Sequence, residues 1–281
     1  MVRMRNKITF GTGKIIVALL LALSAWSSVP ATTEAAAIEL TLPIKSDFDK
    51  TVAAADVGTG VKLKQLYPSL QSLLNEDIQL EAQIKALHYD NEEALISLRK
   101  TIRDIDSAKL DKLENEVKQI KAKYKPLFDD YTALNKQIAA ARALKSKLLN
   151  EALRIQANAM KMATQLARDN IRAKEAALKT AKEAAAAKIK AARTTLGETD
   201  TIKVQIQAMK SAAALPRKSQ SPVWTNFKYA IKKNETRSAS DALETLVSLS
   251  KQIVEKQRQT LDAEKKIAGV IAKTKTQIGV K

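Results

Sequence analysis

The chain has no cysteine and only one histidine, His88, among its 281 residues. The lack of cysteine excludes disulfides, thiolate catalysis, cysteine-bound zinc and a lipid-modified cysteine anchor. A single histidine excludes sites with several histidine ligands and leaves little room for a Ser-His-Asp triad. The sequence also lacks a glycine-rich phosphate loop and the HExxH, CxxC and calcium-loop patterns. We therefore expect a protein that is not an enzyme and that has no cofactor or metal.

Helix-breaking and strand-forming residues are scarce as well. The chain contains 7 glycines and 6 prolines, and aromatic residues make up 4% of it. Residues 69–125, 127–196 and 223–268 contain neither glycine nor proline and are rich in Ala, Leu, Lys, Glu, Gln and Arg, the strongest helix formers. A helix of 85 residues would be about 130 Å long. The composition predicts an all-α protein with very long helices.

The apolar residues repeat with the spacing of a coiled coil. From Leu110 to Ala141 they follow one another at alternating steps of three and four. A similar seam runs from Leu66 to Ile105, with one four-four step near Asn91. Pro126 lies inside the first seam and predicts a kink. Helices of this length must pair within the chain, with a second copy or both, so we expect an elongated antiparallel coiled-coil or helical bundle.

The N-terminal segment has the layout of a secretory signal. A basic start precedes the apolar run 15–26, and small residues follow. This run is shorter than the roughly 20 residues that span a bilayer. We therefore expect 1–37 to be a cleavable signal peptide, which places the protein outside the cytoplasm, secreted or associated with the cell envelope. Residues 38–61 are interpreted as a flexible leader, although 38–44 alternates like a short strand.

Breaks in the helical pattern divide the rest of the chain into three parts. Residues 62–196 are predicted to form long coiled-coil arms. Residues 197–238 are predicted to form a basic, aromatic connector with short helices, because 196–200, 216–222 and 234–238 contain breakers and capping residues. Residues 239–281 are predicted to form a C-terminal coiled-coil helix.

Positive charge is concentrated in the second part of the chain. Residues 38–170 hold 21 bases and 19 acids, whereas 171–281 hold 23 bases and 10 acids. The excess of bases over acids in 171–281 either keeps a secreted helix soluble or attracts a polyanion. The bases predicted to bind an anionic surface are Lys174, Lys179, Lys182, Lys188, Lys190, Arg193, Arg217, Lys218, Lys228, Lys232 and Lys233.

Two aromatic residues lie within this basic region. Trp224 and Phe227 fall on one helix face beside several lysines. Such a face can sit at a lipid headgroup layer, stack on single-stranded nucleic acid or pack over the end of a bundle. The sequence alone leaves all three interpretations open, and His88 is interpreted as a packing or surface residue.

These patterns favour a non-enzymatic interaction or structural protein of the cell envelope. It would dock electrostatically on an anionic cell-wall polymer or membrane surface, with nucleic acid as an unspecific ligand. Helix packing would allow a homo-oligomer. The alternatives are an extracytoplasmic holdase chaperone, whose basic arms grip unfolded clients, and a component of a helical pore-forming toxin.

Overall fold

The computed structural model describes residues 38–280, and the predicted signal peptide 1–37 lies outside them. The described residues form helices and no strand, which confirms an all-α fold with very long helices. The helices are α1 (Leu42–Ala54), α2 (Val57–Arg103), α3 (Ser107–Ala143), α4 (Lys147–Lys232) and α5 (Thr236–Ile278). The described residues divide into two compact units. Unit one contains 38–70 and 217–249, and unit two contains 71–216 and 250–280.

Within unit two, α2 and α5 run in the same direction. Glu76 of α2 is paired with Arg258 of α5, at 2.5 Å between Oε1 and Nη2. Further along both helices, the Asn91 amide donates a hydrogen bond of 2.8 Å to the Glu264 carboxyl. Residue numbers therefore rise together on the two helices, so this pair is parallel although the sequence predicted an antiparallel bundle.

Helix α4 runs in the opposite direction to both of them. Lys203 pairs with Glu92 of α2 at 2.5 Å, and Lys182 pairs with Glu114 of α3 at 2.7 Å, so residue numbers fall along α4 as they rise along α2 and α3. Thr195 of α4 donates a hydrogen bond to Gln277 near the end of α5. Helix α4 is therefore antiparallel to α2, α3 and the unit-two part of α5.

The core of unit two consists of aliphatic layers between these helices. One cluster joins α2 to α5 through Leu80, Ile84, Val254 and Leu261. A larger cluster joins three helices through Leu95, Leu98 and Ile102 of α2, Ala192, Leu196 and Ile206 of α4, and Ala263, Ile267 and Ile271 of α5. The alanines allow α4 and α5 to approach closely, while the leucines and isoleucines supply most of the buried apolar area.

Helix α3 and residues 147–190 of α4 form a two-helix arm within unit two. The 37 residues of α3 extend over about 55 Å at 1.5 Å per residue. Small side chains fill much of the seam on α4, where Ala157, Thr164, Ala167 and Ala185 are buried. Pro126 lies inside α3, and the helix continues through it.

Unit one is organised around an aromatic cluster. The ring of Phe48 on α1 stacks on Tyr67 of α2 at 4.4 Å between centroids and lies 6.4 Å from Phe227 of α4. The Thr51 hydroxyl donates to the Ile231 carbonyl oxygen at 3.0 Å. The predicted flexible leader 38–61 is therefore wrong for residues 42–54, because burial of Phe48 holds that segment as a helix.

The predicted connector 197–238 is also wrong as a set of short helices. Helix α4 is continuous from Lys147 to Lys232 and includes Gly197, Pro216 and Pro222. A proline inside a helix costs about 3 kcal/mol. Buried residues such as Leu196, Ala213, Trp224 and Phe227 lie on both sides of these breakers. Their packing offsets the local penalty and keeps the chain helical.

The turns use left-handed residues other than glycine. Lys145 ends α3 with φ 55° and Asn234 ends α4 with φ 52°. In both turns the next amide bonds back five residues, from Ser146 to the Ala141 carbonyl and from Glu235 to the Ala230 carbonyl. This is the Schellman arrangement, in which glycine is the usual left-handed residue. The turn at 144–146 was not predicted, because the sequence there has neither glycine nor proline.

Replacing Lys145 by glycine should therefore stabilise the protein. A side chain in the left-handed region costs roughly 1–2 kcal/mol, so we expect Lys145→Gly to raise the free energy of unfolding by about 0.5–1 kcal/mol after the entropy cost of glycine. Lys136→Gly, inside α3, is the matched control and should lower it by about 1 kcal/mol. Urea denaturation measures both changes. A loss of stability in Lys145→Gly would contradict this reading of the turn.

Candidate functional site

Three arginines converge on a groove in unit two. Arg99 and Arg103 come from the last two turns of α2, and Arg193 comes from α4. The groove has a volume of about 540 Å³. Ile102 and Leu196, which are almost fully buried, form its apolar wall. The pairing of α2 with α4 thus creates a site from residues that are far apart in the sequence.

The groove has the chemistry of an anion-binding site. Within residues 38–280, none of the three guanidinium groups has an ion-pair partner, and the lining contains one carboxylate, Asp200. A β-carbon added at Gly197 would meet no atom within 4 Å, so this side of the groove is open. Guanidinium groups bind phosphate or carboxylate oxygens through paired hydrogen bonds. The groove therefore suits an anionic group that is larger than a single ion.

Sequence reasoning found only one of these arginines. Arg193 was among the predicted bases, whereas Arg99 and Arg103 lie in residues 38–170, where bases and acids are nearly balanced, and were not. Two bases one turn apart near the end of a helix were the available signal, because they lie on one face. Their proximity to Arg193 depends on the tertiary pairing and has no sequence signature.

Three of the predicted lysines on α4 are engaged within the arm. Lys174 pairs with Glu116 at 2.8 Å, Lys182 with Glu114 at 2.7 Å, and Lys188 with Asp106 at 2.8 Å. Hydrogen bonds from these lysines lower the pKa of all three carboxyl groups. The lysines remain about half exposed. They therefore pair α4 with carboxylates of α3 and of the turn before it, a role the sequence did not predict.

The other predicted bases are divided between the two units. Lys179, Lys190 and Arg193 lie in unit two, whereas Arg217, Lys218, Lys228, Lys232 and Lys233 lie in unit one. The Lys228 ammonium lies 5.8 Å from the centre of the Trp224 ring. In the described part of the chain, Lys179, Lys190, Lys218, Lys232 and Lys233 are exposed and form no ion pair.

The two aromatic residues predicted at an interface are buried instead. Trp224 is 4% exposed and Phe227 is fully buried. Their rings stack at 5.4 Å between centroids, and Phe227 continues into the cluster with Phe48. The interfacial interpretation does not hold in this conformation, because both rings are buried and Phe227 lies near Phe48 of α1. Of the three interpretations, packing over the end of a bundle agrees best with this burial, although the burial alone does not place the rings at an end.

A buried polar cluster lies between α2 and α5 in unit two. The Glu264 side chain is fully buried, and its carboxyl oxygens lie 2.8 Å from His88 Nδ1 and 2.8 Å from Asn91 Nδ2. Asn91 also donates to the Glu264 carbonyl oxygen at 3.0 Å. The four-four step in the sequence seam falls at Asn91, which occupies a core position as a polar residue. A buried polar pair of this kind restricts the register of two helices.

The remaining features give no sign of metal chemistry or of a known relative. Among residues 38–280, no group of three or more His, Asp or Glu side chains could hold a metal ion. Comparison of the chain with protein-family models, with curated proteins and with solved structures found no match. The groove and the distribution of charge are therefore the features that bear on function.

The buried cluster generates a prediction about stability. Asn91→Leu should lower the free energy of unfolding by about 2–4 kcal/mol, because the buried Glu264 carboxyl loses a donor. The double replacement Asn91→Leu with Glu264→Leu should come within about 1 kcal/mol of the wild type, since an apolar pair removes the need for that donor. A double-mutant cycle by urea denaturation tests this. Additive losses would show that the two side chains do not act as a pair.

The ion pairs of the arm predict acid sensitivity. The pKa values of Asp106, Glu114 and Glu116 are lowered in the folded chain from ordinary values of 3.8 for Asp and 4.5 for Glu. As the pH falls, the unfolded chain therefore takes up protons before the folded chain does. The ion pairs stabilise the folded chain at pH values above the ordinary pKa values, and this stabilisation is lost as the pH falls through the lowered pKa values. A variant with Asp106→Asn, Glu114→Gln and Glu116→Gln should show a weaker dependence of the urea midpoint on pH in this acid range. An unchanged dependence of the urea midpoint on pH would exclude these ion pairs as the source of the acid sensitivity.

Proposed function

We propose that the protein is a non-enzymatic interaction protein that binds an anionic polymer outside the cytoplasm. The observation that carries the proposal is the convergence of Arg99, Arg103 and Arg193 on one groove with no paired carboxylate. Guanidinium groups left unpaired beside an apolar wall are suited to bind an external anion. The exposed lysines of α4 add long-range attraction to the same kind of ligand.

The burial of the aromatic residues favours a polymer over a membrane. An interfacial helix needs exposed apolar and aromatic side chains beside its bases. Trp224 and Phe227 supply none, because both are buried in unit one. No helix within residues 38–280 has a stretch long and apolar enough to cross a bilayer. We therefore favour a chain of phosphate or carboxylate groups, such as a cell-wall polymer, over a membrane surface.

Export is the second part of the proposal and depends on residues 1–37. Their basic start and short apolar run are the supporting features. A strongly basic protein would encounter the anionic polymers of a cell envelope immediately after secretion, and the charge would speed that encounter.

Removal of the groove arginines should weaken polymer binding selectively. We expect Arg99→Gln, Arg103→Gln and Arg193→Gln together to reduce affinity for a polyphosphate chain at least about tenfold and to flatten its salt dependence. The matched control is Arg142→Gln, Arg154→Gln and Lys161→Gln, which removes the same charge from exposed positions of the arm. Fluorescence titration across a salt series, with polyglutamate and anionic vesicles in parallel, measures these effects.

The outcomes separate the groove from general basicity. A greater loss of affinity in the groove variant than in the control variant supports the proposal. The polymer that binds more tightly, polyphosphate or polyglutamate, identifies the kind of anion. Equal loss in both variants would mean that charge alone governs binding. No binding by the wild type at low salt, or binding to vesicles but to neither polymer, would overturn it.

A further inference from the structure

Helix α4 carries a second apolar seam that no described residue covers. The residues Leu148, Ala152, Ile155, Ala159, Met162 and Leu166 follow one another at alternating steps of four and three, and all are exposed; we call them the outer seam. Leu148 is 87% exposed, Ile155 67% and Met162 81%. The residues that α4 buries in the arm, such as Ala157 and Thr164, lie on the opposite face of the helix. This stretch of α4 therefore has one seam facing α3 and one facing away.

The spacing of the outer seam is that of a coiled coil. Alternating steps of three and four keep apolar residues along one line that faces a neighbouring helix. Scattered exposed hydrophobics are ordinary on a protein surface, whereas a contiguous apolar patch marks an interaction site. The seam extends over 19 residues, or about 28 Å of helix. It therefore fits another helix of similar length.

The charges around the outer seam disfavour a polyanion. The positions that flank it are occupied by Leu149, Glu151, Gln156, Asn158, Ala163 and Gln165. Only Glu151 is charged, and its sign would repel an anionic polymer. The nearby bases Arg154 and Lys161 lie further round the helix. The ligand of this face is therefore not the ligand of the arginine groove.

We propose that the outer seam pairs with the same seam of a second copy of this chain, in an antiparallel two-fold arrangement. The two-fold axis would cross the seam at the level of residue 157 along the helix. Leu148 then faces Leu166 of the second copy, Ala152 faces Met162, and Ile155 faces Ala159. Two of the three kinds of layer combine a large residue with a small one, which fills the space evenly. A parallel pair would instead stack Ala on Ala at 152 and 159 and leave gaps.

The polar residues agree with the same register. Gln156 and Asn158 come close to their own counterparts near the axis, and Glu151 faces Gln165, so no like charges meet. Beyond the last apolar layer, Asp169 faces the α3–α4 turn of the second copy, which contains Lys145. A two-fold interface must be self-complementary, and this seam meets that condition in size and charge.

The size of the interface sets the strength to expect. The seam and its flanks comprise 12 residues a copy, about half of the 20–30 residues a side of a standard interface. Dimerisation should therefore be concentration-dependent, with a dissociation constant in the micromolar range. Such a dimer would present two arginine grooves to one polymer, and binding two sites on one chain raises the apparent affinity without a new contact.

The test combines an association measurement with a matched surface variant. Sedimentation equilibrium of the purified chain should show a monomer–dimer equilibrium across the micromolar range. Ile155→Glu should weaken it at least about a hundredfold, because two carboxylates would be buried near the axis. Ile78→Glu is the control, since Ile78 is also 67% exposed on a helix, and it should leave the equilibrium unchanged. Far-ultraviolet circular dichroism checks that both variants remain helical.

Single cysteines, in a chain that has none of its own, test the register. Asn158→Cys should form a disulfide-linked dimer on mild oxidation, because the two copies of residue 158 lie close to the axis. Met162→Cys should not cross-link to itself, as its two copies would be about 15 Å apart along the seam. It should cross-link to Ala152→Cys when the two variants are mixed. Self-cross-linking of Met162→Cys would indicate a parallel pair and overturn the register.

Other occupants of the seam would give different results. A chain that stays monomeric at every concentration would overturn the proposal. If Met162→Cys in that monomer were also protected from a maleimide reagent, a segment of the same chain would cover the seam. If the wild type but not Ile155→Glu then suppressed aggregation of an unfolded client protein, the seam would be a surface for non-native chains.

Discussion

The hydrogen bonds between Asn91 and Glu264 fix how α2 and α5 lie against one another in unit two. The Glu264 carboxyl is fully buried, the Asn91 amide donates a hydrogen bond to it, and His88 Nδ1 lies 2.8 Å from its other oxygen. A slip of α2 along α5 would leave the buried carboxyl without these hydrogen-bond partners. The free-energy cost of that loss is larger than any gain in packing that the aliphatic layers could obtain from the slip. The two aliphatic clusters on either side of this pair therefore meet in a single register. This parallel pair is one wall of the bundle against which α4 packs.

The pairing of α2 with α4 produces the arginine groove. When α2 and α4 lie side by side, with Glu92 paired to Lys203, the last turns of α2 come level with Arg193. The groove is therefore a consequence of packing elsewhere in unit two, and its arginines contribute no ion pair to that packing. Within residues 38–280 these arginines form no ion pair, whereas three lysines of α4 are paired with carboxylates. Unpaired guanidinium groups are suited to bind an external anion.

The arm illustrates how one helix can serve two surfaces. Helix α4 carries small residues toward α3, so the two helices approach closely, and cross-helix ion pairs reinforce a seam with little apolar area. Its opposite face carries Leu148, Ile155 and Met162 with almost no flanking charge. The basic groove and the apolar seam therefore suggest different ligands, and a basic net charge alone would have described neither.

The sequence by itself determined that this chain is helical and that its helices are very long, because helix formation depends on local propensity and on the spacing of apolar residues. It also placed the end of α4 near Asn234 and the start of α5 after it. It did not reveal the turn at Lys145, the docking of α1 or the continuity of α4 through Gly197, Pro216 and Pro222, because packing overrode the local signals there. Only the tertiary structure decided that Trp224 is buried and that Arg99, Arg103 and Arg193 meet. Those facts depend on which helix faces lie together, and a generic apolar repeat is compatible with many such pairings.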